Sequence, residues 1–575
     1  MSTNPSKQSF LSSPKYGYDF VVATTQASIN SGLKEYLNAV DQPETYLCFL
    51  ADSKGNPTVE ISLEDLLAKT GGVNPFEIPD GTPYNDPRIT TLTQNMFVVG
   101  LKIKLGLPSQ ILPKDLPFIV DLGNAANNVR FNLLCSEFQI IQNSPPSGFG
   151  SGGSWNVWTQ PADAAWYFST TVNLVYKDLD SELNTPYFNS HPEKRQQLLD
   201  QLRNLGSGAF SLQQLLFDLD NAALQSIPTI QGIDPGSDAA LILTKSFMNL
   251  YFQAAKNHGE PVLSVHAVAN TPDNSSLRLT GIEREVGVFV DGAGNPIENP
   301  TPDQRNVVTL DYLCAVNNNH LPGVASFSWN WVDPSDVNNL SGVISINRNT
   351  LANYYKGILL NAVKKSCIKP WTSVNAHWYG KFDAKWSFTQ NQTPQSAVIP
   401  PSGEKVLEIT YSSNSDANDQ SGATYAEFDI HSSYSCVVYF SGTTIKVVQN
   451  LTFWLKVKFD LTSASGNVVD KTITDIYTLS VGQNGLLQSA VSSSTQDNSQ
   501  TIDLDWFTSL FVDMNDMIHA VKSMAENIAS TNFSDIPAGD IRNFVFPGAS
   551  VFAYKDVEFS DNQDLLTSIT YVSPS

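Results

Sequence analysis

Histidine, cysteine and clustered carboxylates are the residues of this chain best able to bind metal or carry out nucleophilic chemistry. Their spacing argues against both. His191, His258, His266, His320, His377, His431 and His519 stand singly, with no HxH, HExxH or HxxxH among them. A zinc site legible in sequence needs ligands at such short spacings. Cys48, Cys135, Cys314, Cys367 and Cys436 are odd in number, far apart and never in a CxxC pair. That usage predicts buried thiols in a reducing compartment rather than disulfides or zinc. The glycines of SGFGSGGS (147–154) neither lead a strand into a helix nor end in GKS or GKT, and no GxSxG elbow is present. DLDSE (178–182) and SDANDQ (415–420) gather acids without EF-hand spacing and read as solvated turns. No metal and no cofactor are expected, and no catalytic residue can be named.

Binding is what remains, and composition narrows it. Of 575 residues 41% are hydrophobic and only 16% charged, with a formal net charge of −22. So acidic a chain is a poor partner for nucleic acid or for anionic membranes held by charge. No run of about 18 apolar residues occurs, so no transmembrane segment is expected. The opening residues MSTNPSKQSFLSSPKYGYDF lack an apolar core and a cleavage pattern. A cytoplasmic protein is therefore expected, although export without a signal peptide would leave no trace. Seven of the ten tryptophans lie in WNVW (155–158), WYF (166–168), SFSWNWV (326–332) and HWYGKFDAKWSF (377–388). Such stretches can form a carbohydrate-stacking or membrane-touching surface. The reading adopted is core and interface strands, with Trp329 and Trp331 on one sheet face.

The elements that would position any site are mostly strands. VNLVYKDL (172–179), PVLSVHAVA (261–269), VGVFV (286–290), LTFWLKVKFDL (451–461) and ITDIYTLSV (473–481) are rich in β-branched and aromatic residues, several with period-two alternation. Helices are expected at about 24–40 and 347–366, and at 210–224, 237–257 and 502–521. Two of these begin alike: VVATTQASINSGLKEYL (21–37) and VISINRNTLANYYKGIL (343–359) align at an offset of 322 residues. In that alignment Ile29 meets Leu351, Leu33 meets Tyr355, and both Lys34/Lys356 and Leu37/Leu359 are identical pairs. The chain reads as an internal duplication, each half a long helix, a meandering sheet and a second helix. The expected division is 1–300 and 301–575.

That order of elements resembles the tubular lipid-binding (TULIP) superfamily and, within it, the clostridial neurotoxin-cluster accessory proteins and related uncharacterised microbial proteins. SPKYGYDFVVATTQASINSGLKEYL (13–37), SGVISINRNTLANYYKGILLNAV (341–363) and SVFAYKDVEFSDNQDLLTSITY (550–571) carry the resemblance. It implies a β-rich α+β fold of two TULIP-like modules, each a long helix wrapped by a twisted antiparallel sheet, with an apolar groove able to hold an acyl chain. Burying such a chain is worth about 0.8 kcal/mol per methylene. The expected function is thus non-enzymatic binding of a lipid or other apolar molecule in an interior groove. Its expected lining is Ile29, Leu33 and Leu37 of the first helix with Leu351, Tyr355 and Leu359 of the second. Two alternatives stand beside it: a scaffold or toxin-accessory protein that binds a protein partner without ligand, and an enzyme whose site is built on loops.

Overall fold

A computed structural model of the chain describes residues 4–39, 43–112, 114–123, 128–146, 152–178, 210–226, 233–257, 262–269, 279–483, 487–500, 514–526 and 551–572, with a few isolated positions between them. The fold is β-rich α+β, built from antiparallel sheets and a small number of helices.

A central sheet holds the two similar stretches side by side. Strand Phe20–Thr25 runs into helix Gln26–Ala39, and strand Gly342–Ile346 runs into helix Arg348–Ala362. The two strands pair antiparallel, with Val22 opposite Ile344. Those residues are equivalent at the 322-residue offset. Their ends are joined reciprocally: Thr25 N–H donates to the Ser341 carbonyl and Asn347 N–H to the Asp19 carbonyl, each at 2.9 Å. Outward from this pair the order is also matched. Leu279–Gly287 and Thr309–Val316 flank one side, and Leu565–Val572 and Val551–Tyr554 the other. A boundary at residue 300 would assign Thr309–Val316 to the second half, yet that strand bonds along both edges to Phe20–Thr25 and Leu279–Gly287.

Each stretch is followed by its own sheet and a further helix. After the first helix comes a ten-stranded sheet in which Asn128–Ser144 is the long central strand. Helix Asp238–Asn257 packs on it through Phe247, which stacks on Phe168 at 3.6 Å and meets Phe138 edge-on. After the second helix the strands from Ser396 to Asp497 form a six-stranded meander, followed by helix Met514–Glu526. Alternation explains the meander: in Thr444–Phe459 alternate residues are buried, and Lys456 on the other face pairs with Glu427.

Several sequence expectations need correction. Residues 210–224 form strand Phe210–Ser226, not a helix, paired with Tyr167–Asp178 and Val262–Ala269. Leu215, Phe217 and Leu219 alternate with Leu216, Asp218 and Asp220, so two unsatisfied strand edges outweigh a short helical period. The helix expected at 502–521 is observed as Met514–Glu526, and residues 501–513 lie outside the described residues. Trp329 and Trp331 are buried, but in an irregular segment rather than a strand. They join Tyr16, Tyr18 and Phe327 in an aromatic cluster on one face of the central sheet.

The termini are latched to that sheet. Asp564 is wholly buried and accepts from Ser9 Oγ at 2.9 Å, Leu11 N–H at 2.6 Å and Arg348 N–H at 2.9 Å. Burial nevertheless pushes its carboxyl up to about 6, against these donors and the nearby Arg348 charge.

Candidate functional site

The first long helix begins where Thr25 Oγ1 accepts from Ser28 N–H at 3.2 Å, a hydroxyl cap at the end of the preceding strand. Its residues then divide by face. Ile29 and Leu33 are buried and Leu37 half-buried, while Leu351, Tyr355 and Leu359 of the second helix are buried as well. All six expected lining residues therefore belong to, or pack against, one hydrophobic cluster. None of them lines the cavities found beside the first helix.

Those cavities lie along the neighbouring face of the same helix. Asn30 makes four side-chain bonds, one within its helix and three that tie the helix to the sheet. Its Nδ2 donates to the Gln26 and Val120 carbonyls at 2.9 and 2.7 Å, and its Oδ1 accepts from Ile119 and Val120 N–H at 2.6 and 2.9 Å. Asn132 holds the next stretch: its Nδ2 donates to the Phe118 carbonyl at 2.6 Å, and its Oδ1 accepts from Ser169 Oγ at 2.6 Å. Satisfied amides of this kind fix a wall rigidly, because each buried polar group has its partner. Between the helix, residues 116–121 and strand Asn128–Ser144 runs a groove of about 660 Å³. Leu116, Pro117, Phe118 and Tyr167 give it apolar surface; Lys34, Lys114 and Arg130 line it together with one acid, Asp121, among the described residues. Burial lowers the pKa of the Lys34 amine.

A second cavity of about 220 Å³ adjoins the groove, sharing Asp121 and Arg130 with it and adding Gln26, Glu298 and Arg305. Gln26 is nearly inaccessible. Its Oε1 accepts from Leu122 N–H at 2.8 Å, but its Nε2 donor has no hydrogen-bond partner among the described residues. A buried amide donor without a partner costs about 1–3 kcal/mol, so it marks a place where an acceptor would be stabilised. Gln26 and Asn30 were not among the expected site residues. The available signal was their spacing, two amides four apart beside the apolar stripe, which marks a flank facing buried polar groups.

Enzyme-like constellations are weaker. Among the described residues no group of three or more His, Cys, Asp or Glu side chains could hold a metal ion. The histidine side chains seen to bond pair with carboxylates, His377 with Asp383 at 2.8 Å and His431 with Asp416 at 2.6 Å, both at solvent-exposed positions. All five cysteines are buried free thiols, and desolvation raises the pKa of each. None is therefore a ready nucleophile. No helix among the described residues is long and apolar enough to cross a membrane.

The chain matches no family model and no curated protein. Among solved structures it is similar to the P47 protein of Clostridium botulinum E1, with 11% identity over 97% of this chain and 100% of that one, at a TM-score of 0.42. It is also similar to a lipopolysaccharide binding protein, with 8% identity over 97% of this chain and 100% of that one, at a TM-score of 0.26. At such scores function has to be read from this chain's own geometry.

Proposed function

We propose that this protein is a non-enzymatic binder of an amphiphile, a lipid-like molecule whose apolar body lies in the groove beside the first long helix. Its acidic head lies near Gln26 and Arg130, where the two cavities meet. The observation that carries this reading is the Gln26 Nε2, without a partner among the described residues and buried at the wall of a cavity shared with Arg130. The surplus of cations in the groove supports it, because the chain as a whole carries −22. Ile29, Leu33 and Leu37 act in this reading as the packed layer that holds the helix in place, and not as ligand contacts.

Titration with a fluorescent long-chain fatty acid tests it. Gln26→Glu retains an acceptor for Leu122 N–H and replaces the donor with a carboxylate, so affinity for the fatty acid should fall about tenfold or more. An uncharged fatty alcohol should be affected less. Absence of binding by the wild-type chain, or equal affinity in the variant, would overturn the reading.

The two-unit organisation is part of the same proposal. We infer two copies of one strand–helix–sheet–helix unit, with their junction in residues 317–341 rather than at residue 300. The reciprocal bonds about Val22 and Ile344 and the matched strand order of the central sheet support it.

A further inference from the structure

The three most exposed large apolar side chains among the described residues are Trp378 (76%), Tyr379 (90%) and Leu461, which is fully exposed. They are far apart in sequence but meet at one end of the six-stranded meander. Trp378 and Tyr379 form the turn between the paired strands Lys369–His377 and Lys381–Thr389, closed by Gly380 at φ +69°. Leu461 sits in the turn between Thr444–Phe459 and Thr462–Val481. One contact joins these two hairpins, and a second ties the first of them to strand Lys405–Ser421, which leads into the neighbouring turn. The Phe382 and Phe459 rings stack at 5.2 Å, and Ala376 N–H donates to Asp419 Oδ2 at 2.8 Å. The intervening turn at Gly422 completes the tip: the Trp378 indole lies 3.7 Å from where a β-carbon on Gly422 would be. Asp460 joins it to the Leu461 turn through bonds with Tyr425 N–H and carbonyl, both 2.8 Å.

We propose that this tip docks the protein on the interfacial zone of a lipid bilayer. Trp and Tyr combine an apolar ring with a polar edge and are favoured at headgroup depth. The backbone of each hairpin is paired up to its last residues, His377 with Lys381 and Phe459 with Thr462, so little unsatisfied backbone would enter the interface. A protein partner fits less well, since stable interfaces bury about 1,000 Å² or more. Three side chains on convex turns offer far less. Charge near the tip is mixed, with His377 paired to Asp383, Lys381 adjacent, and Asp419 and Asp460 behind. Docking is therefore by aromatic insertion and does not need anionic lipid. It stands independently of the groove and of the amphiphile reading.

Flotation of the full chain with phosphatidylcholine vesicles tests the proposal. Wild type should co-float at low and high salt, and the triple variant Trp378→Ser/Tyr379→Ser/Leu461→Ser should partition about tenfold less or weaker still. Val491→Ser, an exposed apolar position on another strand, should behave as wild type. Brominated phosphatidylcholine should quench wild-type tryptophan emission, and Trp378→Phe should remove most of that quenching while retaining flotation. A wild type that does not float, or a triple variant that floats equally, would overturn the proposal. So would a vesicle-free dimer abolished by the same substitutions, which would assign the tip to a second copy of the chain.

Discussion

Removing one buried carboxyl charge should stabilise this protein at neutral pH. Asp311 lies in the Thr309–Val316 strand, opposite Ala23 on one edge and Glu285 on the other, and is wholly buried. Trp331 Nε1 donates to its Oδ2 at 3.1 Å, while its Oδ1 has no hydrogen bond among the described residues. Burial pushes the carboxyl up to about 7 from an ordinary 3.8; the Thr309 hydroxyl and Trp331 indole act against this, and the Glu285 charge adds to it. Between pH 3.8 and about 7 the folded chain holds a proton that the unfolded chain has released. The stability that Asp311 contributes is therefore fully present below that window and lost as pH rises through it. At about 1.4 kcal/mol per pH unit, the full loss is about 4 kcal/mol.

Asp311→Asn keeps an oxygen acceptor for Trp331 and cannot ionise. Urea unfolding of both proteins at pH values from about 4 to 8 isolates the effect, because Glu285 and the other acids titrate in both and largely cancel. The variant should gain on the wild type as pH rises, by about 4 kcal/mol in total. A stability gap that stays flat with pH, or moves in the wild type's favour, would refute the assignment of Asp311 as an uncompensated buried acid.

Leu33→Ala should cost about 2–5 kcal/mol in the same unfolding assay, the range for truncating a packed leucine. A cost near 1 kcal/mol would instead make Leu33 a wall of open space. A single protease nick in the exposed segment 291–303 should leave the two fragments co-eluting in gel filtration, because Leu279–Gly287 and Thr309–Val316 stay paired across the cut. Separation of folded fragments would mean that the junction lies at residue 300 after all.

How much of this was legible in the sequence follows from the range of each interaction. The helices at 26–39 and 348–362 could be read because their apolar stripes are local, and the strands of the meander because alternation is local too. The strand at 210–226 was misread because its pattern fits both periods and only distant neighbours decide between them. The central sheet's order was beyond reach: Phe20–Thr25 pairs with strands nearly 300 residues away or more, and nothing in its own six residues specifies them. The stripe Ile29, Leu33 and Leu37 was read as apolar, correctly, but hydrophobic periodicity alone does not separate a packed face from a ligand-lined one. That distinction rests on the residues beside it, such as Gln26, whose importance lies in a missing partner rather than in its type.

The two similar stretches also explain why one site, and not two, is the better reading. At the 322-residue offset Gln26 corresponds to Arg348 and Asn30 to Ala352. Both Gln26 and Arg348 are buried in the first turn of their helix, immediately after a capping residue, Thr25 or Asn347. Their surroundings differ. Arg348 donates from Nη1 to the Pro400 carbonyl at 2.6 Å and from Nη2 to the Gly403 and Lys405 carbonyls at 3.0 and 2.8 Å, so the chain's own loop occupies the space in front of it. Its Nε has no partner among the described residues, but a guanidinium held by several carbonyls through both Nη atoms is an internal plug, costly to displace. Gln26, with its shorter side chain, lines a cavity of about 220 Å³ and has a donor without a partner among the described residues. Asn30 anchors the groove wall beside it, and alanine at the equivalent position in the second helix has no polar group with which to do the same. In the second stretch the place is filled from within; in the first no described residue supplies the acceptor.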